Sequence, residues 1–231
     1  MTDFNVKLEK ADQLFEDCKY EEALTLLRTF EDPSNSEILW RTARALFKLS
    51  TEASHAKKKP ELIREAFALS AESLVKDEQN FAVHKWYAIL LDAKSNLEGI
   101  KERVTQLENV KKHMQRAIEL NPEDATSRYI LGEFAYGLAD LPWYQRKIVS
   151  TIFAAPPTGT YEEAVECFLK AESLRADFYH MNKLMVGKCY YELKDNDKAR
   201  EWLTKAANIV VQDEDDRKCK EEAESLLKKV K

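Results

Sequence analysis

Glycine and proline are scarce in this chain, 5 and 6 among 231 residues, and no glycine falls in an Asn-Gly or Asp-Gly pair. Tight β-hairpins therefore lack their usual turn residues, and no run sustains the two-residue alternation of a half-buried strand. With so few glycines there is no phosphate-cradling loop and no G-x-S-x-G elbow for a nucleophilic serine. The four cysteines, Cys18, Cys167, Cys189 and Cys219, form no CxxC pair and read as reduced thiols of a cytosolic protein. The four histidines, His55, His84, His113 and His180, show no HExxH or other metal-ligand spacing. No stretch approaches the ~20 apolar residues that cross a bilayer. The opening Met1-Thr-Asp-Phe-Asn-Val-Lys7 lacks the basic start and apolar core of a signal peptide. These absences predict a soluble, cytoplasmic protein without catalytic residues, cofactor or metal.

What is present is helix-forming sequence, 44% apolar and 33% charged. The net charge of −5 argues against general nucleic-acid binding. Around Tyr161-Glu-Glu-Ala-Val-Glu-Cys-Phe-Leu-Lys-Ala171, the residues Ala164, Phe168 and Ala171 share one helical face. Gly132, in the preceding segment Tyr129-Ile-Leu-Gly-Glu-Phe-Ala135, supplies a second small contact residue. Small residues at such positions let two antiparallel helices approach closely, which is the logic of a tetratricopeptide repeat. Five approximate copies follow. The small residue of the first (A) helix falls at Ala11, Ala43, Ala88, Gly132 and Gly187, and that of the second (B) helix at Ala23, Ala66, Val110, Ala164 and Ala199. A third column reads Phe30, Ser73, Ala117, Ala171 and Ala206. The expected fold is an all-α, right-handed α-solenoid forming a single domain. Its repeats fall roughly at 1–35, 36–80, 81–124, 125–178 and 179–212, with a capping helix at 213–231. In that last segment the acidic run Asp213-Glu-Asp-Asp216 suits a helix N-terminus, and Ala223, Leu226, Leu227 and Val230 face inward.

The spacing between A and B columns is uneven. Copies one and five take 12 residues, whereas the middle copies take 23, 22 and 32. Each excess lies between the two helices of its own repeat. The turns of stacked hairpins line up, so the additions predict one thickened border suited to binding. The first addition carries Lys57-Lys-Lys59 and then Pro60, which suits the first turn of the next helix. These lysines either meet an acidic partner or form solvated surface. The second addition keeps helical spacing through Ile100, Val104, Leu107, Met114 and Ile118, so the B helix should begin near Gly99 and run unbroken, with Lys101, Lys112 and Arg116 outward. The third, Asp140–Thr160, reads as an inserted amphipathic helix started by Asp140 and Pro142 and stopped by Pro156-Pro157. Tyr144, Ile148 and Ile152 form its apolar stripe with Val149 and Phe153 alongside, while Arg146 and Lys147 face the other way. That apolar face buries against the solenoid's own groove, or against a lipid or partner.

Several of these segments closely resemble the regulator of microtubule dynamics family. They are Trp143-Tyr-Gln-Arg-Lys147, Thr151-Ile-Phe-Ala-Ala-Pro-Pro157, Tyr161-Glu-Glu-Ala164, Phe168-Leu-Lys-Ala-Glu172, Met185-Val-Gly-Lys-Cys-Tyr190, Lys85-Trp-Tyr87 and Gly99-Ile-Lys-Glu-Arg103. The resemblance spans about 80–210 and implies a tetratricopeptide-like protein associated with microtubules, the spindle and its poles, acting in chromosome segregation. Some relatives add a membrane anchor and one handles phospholipid; this chain looks like the anchor-free form. Tubulin is acidic, so the cations expected to meet tubulin or a spindle protein are Lys57, Lys58, Lys59, Lys101, Lys112, Arg116, Arg146 and Lys147. The alternative is a lipid- or peptide-binding adaptor with its groove beneath 142–155, lined by Trp143, Tyr144, Ile148, Ile152 and Phe153.

Overall fold

The computed structural model describes residues 3–153, 158–211 and 214–230, and within these every regular element is a helix. The chain divides into two compact units, 1–120 and 121–231. The first holds α1 (Asp3–Glu16), α2 (Tyr20–Leu27), α3 (Ser36–Thr51), a 3-10 segment (Ala53–Lys58), α4 (Lys59–Lys76), α5 (Phe81–Glu98), α6 (Ile100–Thr105) and α7 (Leu107–Leu120). The second holds α8 (Ala125–Ala139), α9 (Trp143–Ile152), α10 (Tyr161–Leu174), α11 (His180–Glu192), α12 (Asn196–Ala207) and α13 (Glu214–Leu227).

Local sequence sets these boundaries. The A helices α3, α5 and α8 start at Asn35, Asn80 and Asp124, whose side chains accept the first free backbone N–H groups. Thr160 and Glu163 form a reciprocal capping box at the start of α10. Pro60 stands in the first turn of α4, as its fixed φ requires. Asp140 does not start α9. It closes α8 and accepts a hydrogen bond from the Tyr161 hydroxyl at 3.0 Å, leaving Pro142 as the residue before α9. The expected stop at Pro156-Pro157, and Asp213 in the acidic run, lie outside the described residues. Glu214, Asp215 and Asp216 do occupy the first turn of α13, where the helix dipole favours them.

In the first unit α1 packs on α2, α3 on α4 and α5 on α7, and α4 lies against α5. In the second α8 packs on α10 and α11 on α12, while α13 covers α11 and α12. The side chains at these contacts are those of the three columns. Ala11, Ala23, Ala43, Ala66, Ala88, Val110, Ala164, Ala199, Ala117, Ala171 and Ala206 are all buried. Gly132 and Gly187 show why a smaller residue still is needed in the last two pairs. A Cβ at 132 would come within 2.7 Å of the Phe168 ring, and one at 187 within 2.7 Å of Leu203 Cγ. The helices have closed past the separation that alanine tolerates.

An ionic cluster joins α1 to α3. Asp12 accepts from Arg41 Nε at 2.9 Å, from Arg41 Nη2 at 2.8 Å and from Arg44 Nη2 at 2.6 Å. The Arg44 guanidinium lies 3.8 Å from the Phe15 ring centre, and that of Arg41 lies 4.1 Å from Trp40. Burial lowers the Arg44 pKa from its usual value while Asp12 opposes the shift, so the carboxylate compensates a largely desolvated cation. In the second unit the Asn182 amide plays a comparable part, donating to the Phe168 carbonyl at 3.1 Å and to Glu172 at 2.9 Å, and so tying α11 to α10.

Gly132→Ala should lower stability by about 1–2 kcal/mol, because overpacking at Phe168 outweighs the gain in helix propensity. Urea unfolding measures it, and a variant as stable as the parent would show that the α8–α10 separation relaxes freely.

Candidate functional site: three elaborated hairpin turns

In the first unit the A–B turns fall at 17–19, 52–58 and 99–106. The 3-10 segment packs on α3 and α4, and α6 on α5 and α7, so each addition sits at the turn of its own hairpin; α4 packs on α5, and stacked antiparallel hairpins bring such turns to a common edge. The B helix of the third repeat begins at Ile100 after Gly99, whose φ of 104° favours glycine. It does not run unbroken. Gln106 separates α6 from α7, its N–H bonding to both the Glu102 and Arg103 carbonyls at 3.2 Å, so the helix bends there.

The cations of this unit separate into two groups. Lys57, Lys58 and Lys59 are exposed where the 3-10 segment enters α4, and Lys101 is exposed on α6. None of the four has a carboxylate within ion-pairing distance among the described residues, and the same holds for Lys112, exposed on α7. Glu52 and Glu21 lie 3.3 and 3.4 Å from the His55 ring and Glu102 accepts from Gln106 Nε2 at 3.1 Å, whereas Glu61, beside the lysines in sequence, forms no ion pair among the described residues. Arg103 is clamped by Asp92 at 2.8 and 3.0 Å, and Lys94 by Glu98 at 2.8 Å. Arg116 does not belong to the edge. Its guanidinium reaches Glu119 at 3.0 Å and Gln79 at 3.0 Å, and Gln79 lies in the α4–α5 connector at the opposite end.

In the second unit the addition between α8 and α10 carries α9. Val149 is the buried residue of this helix; Ile148, Ile152 and Phe153 are half-buried, and Trp143 and Tyr144 are 77% and 49% exposed. The expected stripe through Tyr144 is thus rotated, with the inward line centred on Val149. Arg146 is not a free cation. Its Nε and Nη2 donate to the carbonyls of Leu141 and Ala139, both at 2.8 Å, satisfying the end of α8 and pinning the start of α9 to it. Lys147 is exposed with no carboxylate partner among the described residues. The returning chain presses Gly159 onto α8, where a Cβ would sit 2.4 Å from the Ala135 carbonyl oxygen. Nothing in the local sequence distinguishes Gly159 from an ordinary loop glycine, which is why its role emerges only from the packing.

The profile described as "Regulator of microtubule dynamics protein 1-3" matches residues 7–231. The chain belongs to the regulator of microtubule dynamics family. It is 40% identical over 223 residues to regulator of microtubule dynamics protein 1 of Pongo abelii, covering 95% of this chain and 70% of that relative. It is 36% identical over 193 residues to regulator of microtubule dynamics protein 3 of Xenopus laevis, covering 84% of this chain and 42% of the relative. Among solved structures it is similar to a thermophilic TPR protein of Thermus thermophilus, with a TM-score of 0.67 at 18% identity over 96% of this chain and 98% of the other. PilF of Pseudomonas aeruginosa gives 0.56 at 17% identity over 97% and 90%. The fold is the tetratricopeptide-type α-solenoid expected from the column pattern. No helix among the described residues is long and apolar enough to cross a membrane, and no group of three or more His, Cys, Asp or Glu among them is placed to hold a metal ion.

The histidines show an arrangement that ligand spacing did not anticipate. His84 on α5 and His113 on α7 stack with their Nδ1 atoms 2.8 Å apart, and His84 Nε2 lies 2.9 Å from the Glu78 carbonyl. That carbonyl can only accept, so His84 carries its proton on Nε2 and takes one at Nδ1 from His113. Burial, then His84 and Lys112, push the His113 pKa down to about 4. A free histidine takes up its proton near 6.5. The unfolded chain therefore binds the proton first, and stability falls as pH drops from about 6.5 toward 4. Because His113 is only half-buried, the loss should be about 1–2 kcal/mol rather than the full shift. Thermal melts between pH 7 and 4.5 should show a shallower decline in His113→Phe than in the parent; parallel declines would remove the histidine pair as the cause.

Proposed function

We infer that the protein is a non-enzymatic microtubule-associated protein, using the A–B edge of its first unit to meet the acidic surface of tubulin and acting at the spindle in chromosome segregation. The observation that carries this reading is the group Lys57, Lys58, Lys59 and Lys101, exposed on one edge without carboxylate partners among the described residues, in a chain whose net charge is −5. An acidic protein approaches an acidic polymer only through a locally positive face, and unpaired lysines release their counterions on contact. Family membership supports the cytoskeletal setting, since the relatives are named as regulators of microtubule dynamics. Lys112 extends the positive face along α7. Arg116 and Arg146 leave the set of contact residues, being engaged by Glu119 with Gln79 and by the end of α8.

The alternative, an apolar ligand in a groove beneath α9, draws less support from the side chains. Val149 is buried and Ile148, Ile152 and Phe153 are half-buried, so this face of α9 is already largely covered.

Co-sedimentation with polymerised tubulin should show binding at low salt that weakens steeply toward about 0.15 M, where screening acts over about 8 Å. Replacing Lys57, Lys58 and Lys59 together by Glu should reduce the bound fraction at least about fivefold at low salt, the scale of one or more lost charge contacts. Arg116→Gln should leave it unchanged. An undiminished triple variant would rule out this edge, and absence of pelleting by the parent at low salt would point to an adaptor instead.

A further inference from the structure

We propose that the start of α9 is a docking surface for an anionic lipid bilayer, with Trp143 and Tyr144 entering the headgroup region and Lys147 meeting lipid charge. An exposed tryptophan is uncommon, because its large ring gains so much from leaving water. Here Trp143 is 77% exposed and Tyr144 49%, the two rings standing edge to face with centres 6.2 Å apart. Neither is part of the buried core.

Their exposure is not the fraying of a loose helix end. Arg146 donates to the Ala139 and Leu141 carbonyls at 2.8 Å, locking the first turn of α9 to the end of α8. On the far side of the insert Gly159 lies against Ala135, and Tyr161 holds Asp140 at 3.0 Å. The insert is pinned at both ends while its two largest aromatic residues are left outside.

Charge identifies the occupant. From Leu141 to Phe153 there are two cations, Arg146 and Lys147, and no carboxylate, in a chain whose net charge is −5. An anionic membrane meets no carboxylate along this segment, and Asp140, just before it, is held by the Tyr161 hydroxyl. The residue types agree. Trp and Tyr bury their ring bodies at a membrane interface while the indole N–H and phenol O–H stay among the headgroups, and a basic residue adds attraction to acidic lipid. Lys147 is the cation offered to the headgroups, because Arg146 is engaged within the fold.

Flotation with vesicles tests the surface using the full chain. The parent should bind vesicles of phosphatidylcholine with phosphatidylserine and bind phosphatidylcholine alone at least fivefold less, since about one basic residue's attraction is lost. Trp143→Ala with Tyr144→Ala should lower partitioning about tenfold, and Lys147→Glu about fivefold, while Trp143→Phe should retain most of it. Lipids brominated near the headgroup should quench more fluorescence in the parent than in Trp143→Phe. Unchanged partitioning in both the double variant and Lys147→Glu, or no binding of the parent to the anionic vesicles, would overturn the proposal. Loss of tubulin pelleting in the double variant, with vesicle binding intact, would overturn it in favour of a protein-facing surface.

Discussion

Close approach of the two helices in each repeat is the constraint on which the rest of the structure depends. Gly132 against Phe168 and Gly187 against Leu203 leave no room for a Cβ, and alanine occupies most of the corresponding positions elsewhere. When backbones come this near, a large side chain of one helix fills the space left by the small residue of the other. Phe168 lies against Gly132 and Tyr129 of α8, and Leu203 against Gly187 within the cluster closed by Cys219 and Ala223. A repeat cannot bury such surface alone, so stacking and a terminal cap follow from the same geometry.

Polar groups inside this stack are held by specific partners. Asp12 collects two arginines of α3, one of them stacked on Phe15, and Asn182 bridges Phe168 and Glu172. Each is costly to leave unpaired in a desolvated setting, so these contacts resist sliding of one helix along another. The His84–His113 pair does the same between α5 and α7, where burial disfavours the charged form of His113.

The turns are free of these demands, and there the chain has elaborated. Additions at hairpin turns leave the seam residues in place, so they change the surface without changing the fold. In the first unit the additions expose lysines that form no ion pair among the described residues. In the second, the addition presents an aromatic pair on a helix fixed by Arg146. Both surfaces contrast with the chain's net charge of −5, and both adjoin packed helices.

Helical class, the five pairs of small residues and the places of the additions were legible in the sequence, because they depend on residue size, periodicity and spacing along the chain. Even the loosely matching first two repeats have their small residues, Ala11 with Ala23 and Ala43 with Ala66, buried at the seams. The apolar stripe of α9 was legible only approximately, since a helical wheel gives the face but not the line of contact. Which cations are free was not legible. Lys57 and Arg116 look alike as members of basic segments, yet one forms no ion pair among the described residues and the other is bound by Glu119 and Gln79. Charge pairing depends on residues brought together across turns and between helices, often tens of positions apart, and only the tertiary structure decides that.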